Sequence, residues 1–284
     1  MTLTVFFVVI SAAVLHAVWN AAVKGSNDKV LGMTAVMIGQ ALPACVLLCF
    51  FPLPSYESMP WFIAGVCFHM GYQLFLMSAY KIGDFTQVYP IARGTAPMIV
   101  TLVSILFLGV ELAPTELIAI AMIVLGIISL SIVRQSDGLR NPKAAFMAFC
   151  TGCCIAGYSL SDGLGARASL SAVGYMSVLM AVDGLLFAIY IRFVAPGTLS
   201  KMVREAKFRM IGGGFSAFIA YMMVVWAFTQ APIATVTALR ETSIIFAVLI
   251  GVFVFREKLN LAKVLSVMIS LAGAALLRFG KFLG

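Results

Sequence analysis

Charge is scarce in this chain of 284 residues: Asp, Glu, Lys and Arg make up 11% of it, against about a quarter of a soluble domain. Histidine is scarcer still, at His16 and His69 alone. No His-Glu-x-x-His and no Gly-x-Ser-x-Gly occurs, so the signatures of zinc and serine hydrolases are missing. Cys150-x-x-Cys153 has no His/Cys partner pair at zinc spacing. All six cysteines stand in apolar runs and read as small buried hydrophobes. No catalytic residue, metal or cofactor is assigned. The first residues, Met1-Thr-Leu-Thr-Val-Phe-Phe7, carry no positive charge before the apolar run, so they read as a retained first helix and not as a cleaved signal.

Apolar residues are what the chain has in excess, at 62%, with a mean hydropathy of +1.07. A soluble enzyme, a disordered chain and a disulfide scaffold are excluded. The expected fold is all-α, a membrane protein of ten transmembrane helices. A span needs about 20 apolar residues, and ten such segments fit at 3–23, 30–52, 60–80, 86–108, 114–133, 144–162, 172–193, 209–229, 232–254 and 260–278. The lipid bilayer is therefore the first partner. The net charge of +8 is read as a topology signal and not as nucleic-acid binding.

The charge bias is strong. The odd-numbered loops hold Lys24, Lys29, Lys81, Arg134, Arg140, Lys143, Arg192, Lys201, Arg204, Lys207, Arg209, Arg256, Lys258 and Lys263; the opposite face holds Arg167, Arg278 and Lys281. Positive loops stay in the cytoplasm, which puts the odd loops there and both termini outside.

An internal repeat runs through the chain. Pro90-Ile-Ala-Arg93-Gly-Thr95-Ala-Pro97 aligns with Thr237-Ala-Leu-Arg240-Glu-Thr242-Ser-Ile244, and at the same offset Leu112 meets Leu259 and Gly126 meets Gly273. Tyr72-Gln-Leu-Phe-Leu-Met-Ser-Ala79 parallels Tyr221-Met-Met-Val-Val-Trp226-Ala-Phe228, and His16-Ala-Val-Trp19-Asn20 sits where Tyr158-Ser-Leu-Ser161-Asp162 sits in the second half. Five spans per half is an odd number, so the second half enters the membrane from the opposite side. The result is two inverted five-helix repeats, residues 1–136 and 137–284, an architecture tied to alternating access around a site at the repeat interface.

Ionisable groups inside spans cost several kcal/mol and are functional candidates by default. Arg93 and Arg240 are mid-span and repeat-related; each is a fork for a carboxylate or a structural lock on carbonyls or an acid. Glu241 and Asp162 are candidate partners of Arg240. His16, Trp19 and Asn20 share one helix face at i, i+3, i+4, as do Tyr158, Ser161 and Asp162; His69, Tyr72 and Gln73 form a third polar stripe. They line an interior cavity or act as interhelical hydrogen-bond glue. Tyr89, Tyr221 and Trp226 add aromatic walls. Arg for a carboxylate, Asp or Glu for an ammonium and aromatics for a side chain describe a site for a zwitterion. Asp162, Asp183, Glu241, His16 and His69 are the candidates for proton coupling. Pro90 marks either a bend beside Arg93 or the start of its helix, and Gly126 with Gly273 suits close packing of spans five and ten.

Ten spans in two halves, Arg-x-Thr-[Ala/Ser] in the fourth and ninth, and the short acidic turns Leu108-Gly-Val-Glu111-Leu112 and Phe255-Arg-Glu257-Lys-Leu259 resemble the EamA family of the drug/metabolite transporter superfamily. The resemblance covers nearly the whole chain. It implies a secondary transporter, not an enzyme, of the kind that exports amino acids, aromatic ones included, or related metabolites. Alternatives within the fold are a cationic drug, a nucleotide sugar or a sugar phosphate; outside it, a membrane scaffold or receptor without flux. Members are often drawn with both termini in the cytoplasm, opposite to the charge bias here. The oligomeric state is not legible in the sequence.

Overall fold

The computed structural model describes residues 1–24, 26, 28–83, 85–132, 141–254, 256 and 261–280. The expected boundary between the halves, at 136/137, lies outside the described residues. So do Arg134, Arg140, Lys258 and Lys281 of the charge count, the side chains of Lys24, Lys29 and Lys263, and most of the acidic turn at 255–259.

Among the described residues every regular element is a helix. In order run α1 (Leu3–Lys24), α2 (Lys29–Gly39), α3 (Ala41–Leu47), α4 (Met59–Ile82), α5 (Phe85–Leu106), α6 (Pro114–Ile132), α7 (Pro142–Ala168), α8 (Ala172–Val194), α9 (Thr198–Glu205), α10 (Gly214–Gln230), α11 (Ile233–Arg240), α12 (Ser243–Phe253) and α13 (Leu261–Phe279). Eight segments are long and apolar enough to cross a bilayer, with α2–α3 and α11–α12 each counting as one; α6 and α13 supply shorter apolar stretches, Pro114–Ser129 and Val264–Phe279. These ten units occupy the ten positions read from the sequence. The remaining helix, α9, is short and rides on the surface with Met202 turned inward and Val203 and Arg204 outward.

The helix ends follow local chemistry. Asn141 caps α7, accepting from the Lys143 and Ala144 amides at 3.0 and 3.2 Å, and Pro142 follows where its missing N–H costs nothing. Asp28 caps α2 through the Leu31 amide at 3.0 Å. That bond, helped by Lys201 at 3.2 Å, holds its carboxyl below the usual range.

Two spans break in the middle. The second breaks at Gln40, three residues ahead of Pro43. Pro43 has no amide to give, and its ring crowds the carbonyl four residues back, that of Gly39. The ninth breaks at Glu241 and Thr242 with no proline. There the Glu241, Thr242, Ile244 and Ile245 amides all bond three residues back, to Ala238, Leu239, Glu241 and Thr242, and the Thr242 hydroxyl bonds the Leu239 carbonyl at 2.7 Å. This is a 3₁₀ tightening. It leaves the Arg240 carbonyl without the Ile244 amide. By contrast α5 starts at Phe85 and runs straight through Pro90 and Pro97, so the helix does not begin at Pro90. Pro97 nevertheless denies the Arg93 carbonyl its amide partner.

The packing is exchanged between halves. Helix α4 lies along α7 as α10 lies along α1; α5 meets α7 as α11 and α12 meet α1; α6 and α13 pack on each other. This pairing is that of two inverted five-helix repeats. The α6–α13 seam is very close. A Cβ at Gly126 would stand 2.9 Å from the Ser266 carbonyl, and one at Gly273 would stand 2.8 Å from the Ala119 carbonyl. Only glycine admits such an approach, and the Ser266 hydroxyl bonds the Gly126 carbonyl across it.

The distribution of polarity is inverted relative to a soluble protein. Phe7, Leu102, Leu125, Leu185 and Phe215 face outward, whereas His69, Gln73, Arg93, Asp162, Asp183, Arg240 and Glu241 are buried. A polar group that faced lipid would have no partner, so these side chains collect along the interface of the halves.

Candidate functional site

The first group of buried charges sits where α5 meets α11. Arg93, in mid-helix on α5, sends its Nε to Glu241 Oε2 at 2.7 Å and donates from Nη2 to Ser243 Oγ at 3.1 Å. Arg240, at the end of α11, reaches the other oxygen, Oε1, with Nη2 at 3.4 Å. Arg93 is 6% exposed and Arg240 2%. Glu241 therefore bridges two guanidinium groups, one from each half, because the break in the ninth span places it between them. The Nε of Arg240 is buried with no hydrogen-bond partner.

The second group is carried by α4, α7, α8 and α10. His69 Nε2 lies 2.8 Å from Asp162 Oδ2, and the Tyr221 hydroxyl donates to the same oxygen at 2.6 Å. Asp162 Oδ1 has no partner. It faces Gly65 on α4, where a Cβ would come within 2.5 Å of it. One helical turn along α4 from His69, Gln73 donates to Asp183 Oδ2 at 2.7 Å.

Tyr158 joins the two groups. Its ring stacks on His69 at 4.3 Å between centroids, with the planes 12° apart, and meets Tyr72 and Tyr221 edge-on at 5.7 Å each. The Arg240 guanidinium lies 5.9 Å from the same ring, and that of Arg93 lies 5.9 Å from Tyr89. Cations at this range are attracted by the π face.

A small cavity of about 20 Å³ opens beside Arg93, lined by His16, Asn20, Tyr72, Tyr80 and Tyr89 among others. It has room for about one water and is far below the roughly 300 Å³ of a metabolite pocket.

The structure thus brings together His16, Asn20, Tyr72, Tyr89 and Arg93 at the cavity, Tyr158, Arg240 and Glu241 beside it, and His69, Asp162 and Tyr221 beyond. Other expected residues serve differently. Trp19 is buried in a packed apolar group and donates to His16 Nδ1 at 3.2 Å. Gln73 is bonded to Asp183. Ser161 is buried, and Trp226 packs half-buried against the main apolar core. Glu241 pairs with both arginines, and Asp162 pairs instead with His69 and Tyr221. Sequence reading missed Ser243 as a partner of Arg93; it stands two residues after Glu241, and its hydroxyl in an apolar run is the signal. Among the described residues no group of three His, Cys, Asp or Glu is placed to hold a metal ion.

Residues 142–279 match the family model described as the EamA-like transporter family. The second half of the chain belongs to that family. The chain is accordingly a multi-pass integral membrane protein of the drug/metabolite transporter type, a class that moves small solutes and does not transform them. No curated protein matches it. Among solved structures 29 chains match. One crystal structure superposes with a TM-score of 0.70 over 97% of this chain and 96% of its own, at 16% identity. A likeness at that identity speaks for the fold alone, and it extends over nearly the whole chain.

Proposed function

We propose that the chain is a secondary transporter that exports small zwitterionic metabolites, amino acids and especially aromatic ones, by alternating access between residues 1–136 and 137–284. The observation that carries this reading is the order cation, aromatic ring, anion along the interface: Arg93 and Arg240, then Tyr158, then Asp162. Guanidinium forks match a carboxylate, rings take an apolar side chain, and Asp162 takes an ammonium through its unpartnered oxygen. The small size of the cavity supports a carrier whose site widens only when helices move. The His69–Asp162 pair supplies the proton-exchange group in this reading. The membrane is the bacterial inner membrane, with the odd loops in the cytoplasm and both termini outside.

Counterflow into proteoliposomes tests the reading. Labelled phenylalanine is expected to accumulate saturably, competed by other aromatic amino acids, and Arg240→Ala is expected to lower the rate at least about tenfold with normal insertion. Uptake of a sugar phosphate or a quaternary amine in place of amino acids would overturn the substrate. Cysteine labelling at Ser200, expected from the cytoplasmic side only, tests the orientation.

A further inference from the structure

Two guanidinium groups share one carboxylate at the interface of the halves. Glu241 spends each oxygen on a different arginine, Oε2 on Arg93 at 2.7 Å and Oε1 on Arg240 at 3.4 Å. The Ser243 hydroxyl and the Tyr89 ring that also meet Arg93 are neutral, and Arg240 keeps a buried Nε without a partner. Arg carries five N–H donors and no acceptor. The trio therefore has formal charge +1 and more donors than acceptors. It is short of one carboxylate, and it already shows what a carboxylate does there.

We infer that Glu241 is a built-in stand-in for the carboxylate of the transported solute, which competes with it for Arg93 and Arg240. The inference rests on the reading of this interface as the solute site. Glu241 sits at the break between α11 and α12, and Arg93 sits on α5 of the other half. Their ion pair is thus a tie between halves. A solute carboxylate that takes the Arg93 fork releases the tie and leaves both arginines paired. Without solute, parting the halves strands a buried arginine, and that is strongly unfavourable. The empty carrier stays tied and the loaded one moves. Glu241 also sets selectivity, since a solute without a carboxylate cannot replace it.

The test uses the full-length protein in detergent, with tryptophan-fluorescence titration by three probes: phenylalanine, 3-phenylpropionate (carboxylate only) and phenethylamine (ammonium only). With the internal competitor gone, Glu241→Gln is expected to bind both carboxylates about tenfold tighter and phenethylamine unchanged. Glu241→Asp keeps the charge but draws it back by one methylene, and is expected to shift the same two probes in the same direction by less. It serves where Glu241→Gln does not fold. Unchanged or weaker carboxylate binding in the folded variant, or an equal gain for phenethylamine, overturns the inference. Counterflow of phenylalanine by the wild type is scored separately. Its absence, together with tighter 3-phenylpropionate binding by the variant, would remove amino acids as substrate and leave Glu241 as the competitor.

Discussion

Gly65→Ala adds one methyl group and no charge, yet it should disable the anionic end of the site. The new Cβ would stand 2.5 Å from Asp162 Oδ1 and 3.0 Å from Leu179 Cδ1. Ordinary contact begins at 3.4 Å, so the carboxylate has to retreat by about 0.9 Å from its present place. Its other oxygen is held at 2.8 Å by His69 and at 2.6 Å by Tyr221. A shift of that size takes at least one of these bonds out of range. A hydrogen bond to a charged group is worth about 1.5–3 kcal/mol, which corresponds to about a 10- to 100-fold loss in a step that depends on Asp162. The assay is phenylalanine counterflow by purified protein, with thermal unfolding in the same detergent as control. Counterflow should fall at least about tenfold, with a modest loss of thermal stability. Wild-type flux and an unchanged midpoint would refute the reasoning, because Asp162 would then have slack and its contacts with His69 and Tyr221 would not matter to transport.

Other outcomes follow from single contacts. Gly126→Leu should cost about 1–3 kcal/mol or more, read as a lower unfolding midpoint, because the Ser266 carbonyl and Ser270 amide opposite it are backbone atoms that cannot turn aside. Asp28→Ala should cost about 1 kcal/mol through loss of the α2 cap, whereas Asp28→Asn keeps a capping oxygen and should cost less. The folded Asp28 carboxyl titrates below its ordinary value of 3.8. Its contribution is therefore complete above that pH and fades as the pH falls through the lower folded value. Unfolding midpoints of the wild type and Asp28→Asn measured down through that window should converge. Replacing Trp226 by Phe should leave counterflow within about twofold, since removing a side chain that only packs does not touch a polar contact.

The ten spans were legible because long apolar runs have no other stable use, and the repeat was legible because Arg93 and Arg240 are too costly at membrane depth to align by accident. The Gly126–Gly273 seam could also be read, from small residues at matched positions. Pairings were harder. Asp162 shares a helix face with Tyr158, and nothing in sequence spacing says that its partners come from α4 and α10. The break at Gln40 had a visible cause in Pro43. The one at Glu241 had none, since a threonine hydroxyl turned back on its own helix looks like any other threonine in a one-dimensional string. Trp226 was drawn into the site by its place in the repeat, but repeat-related positions on inverted halves need not face the same space.

The carbonyls of Arg93 and Arg240 are both excused from the ordinary helical ladder, the first because Pro97 has no amide to offer, the second because the Ile244 amide bonds Glu241 instead. The means differ, but the register is the same in both halves. A helix bends most cheaply where there is no bond to stretch. Each half therefore has a soft point at the depth of its own arginine. In the carrier proposed above, matched soft points would let either half flex, and the sense of net movement would be set by the gradients across the bilayer.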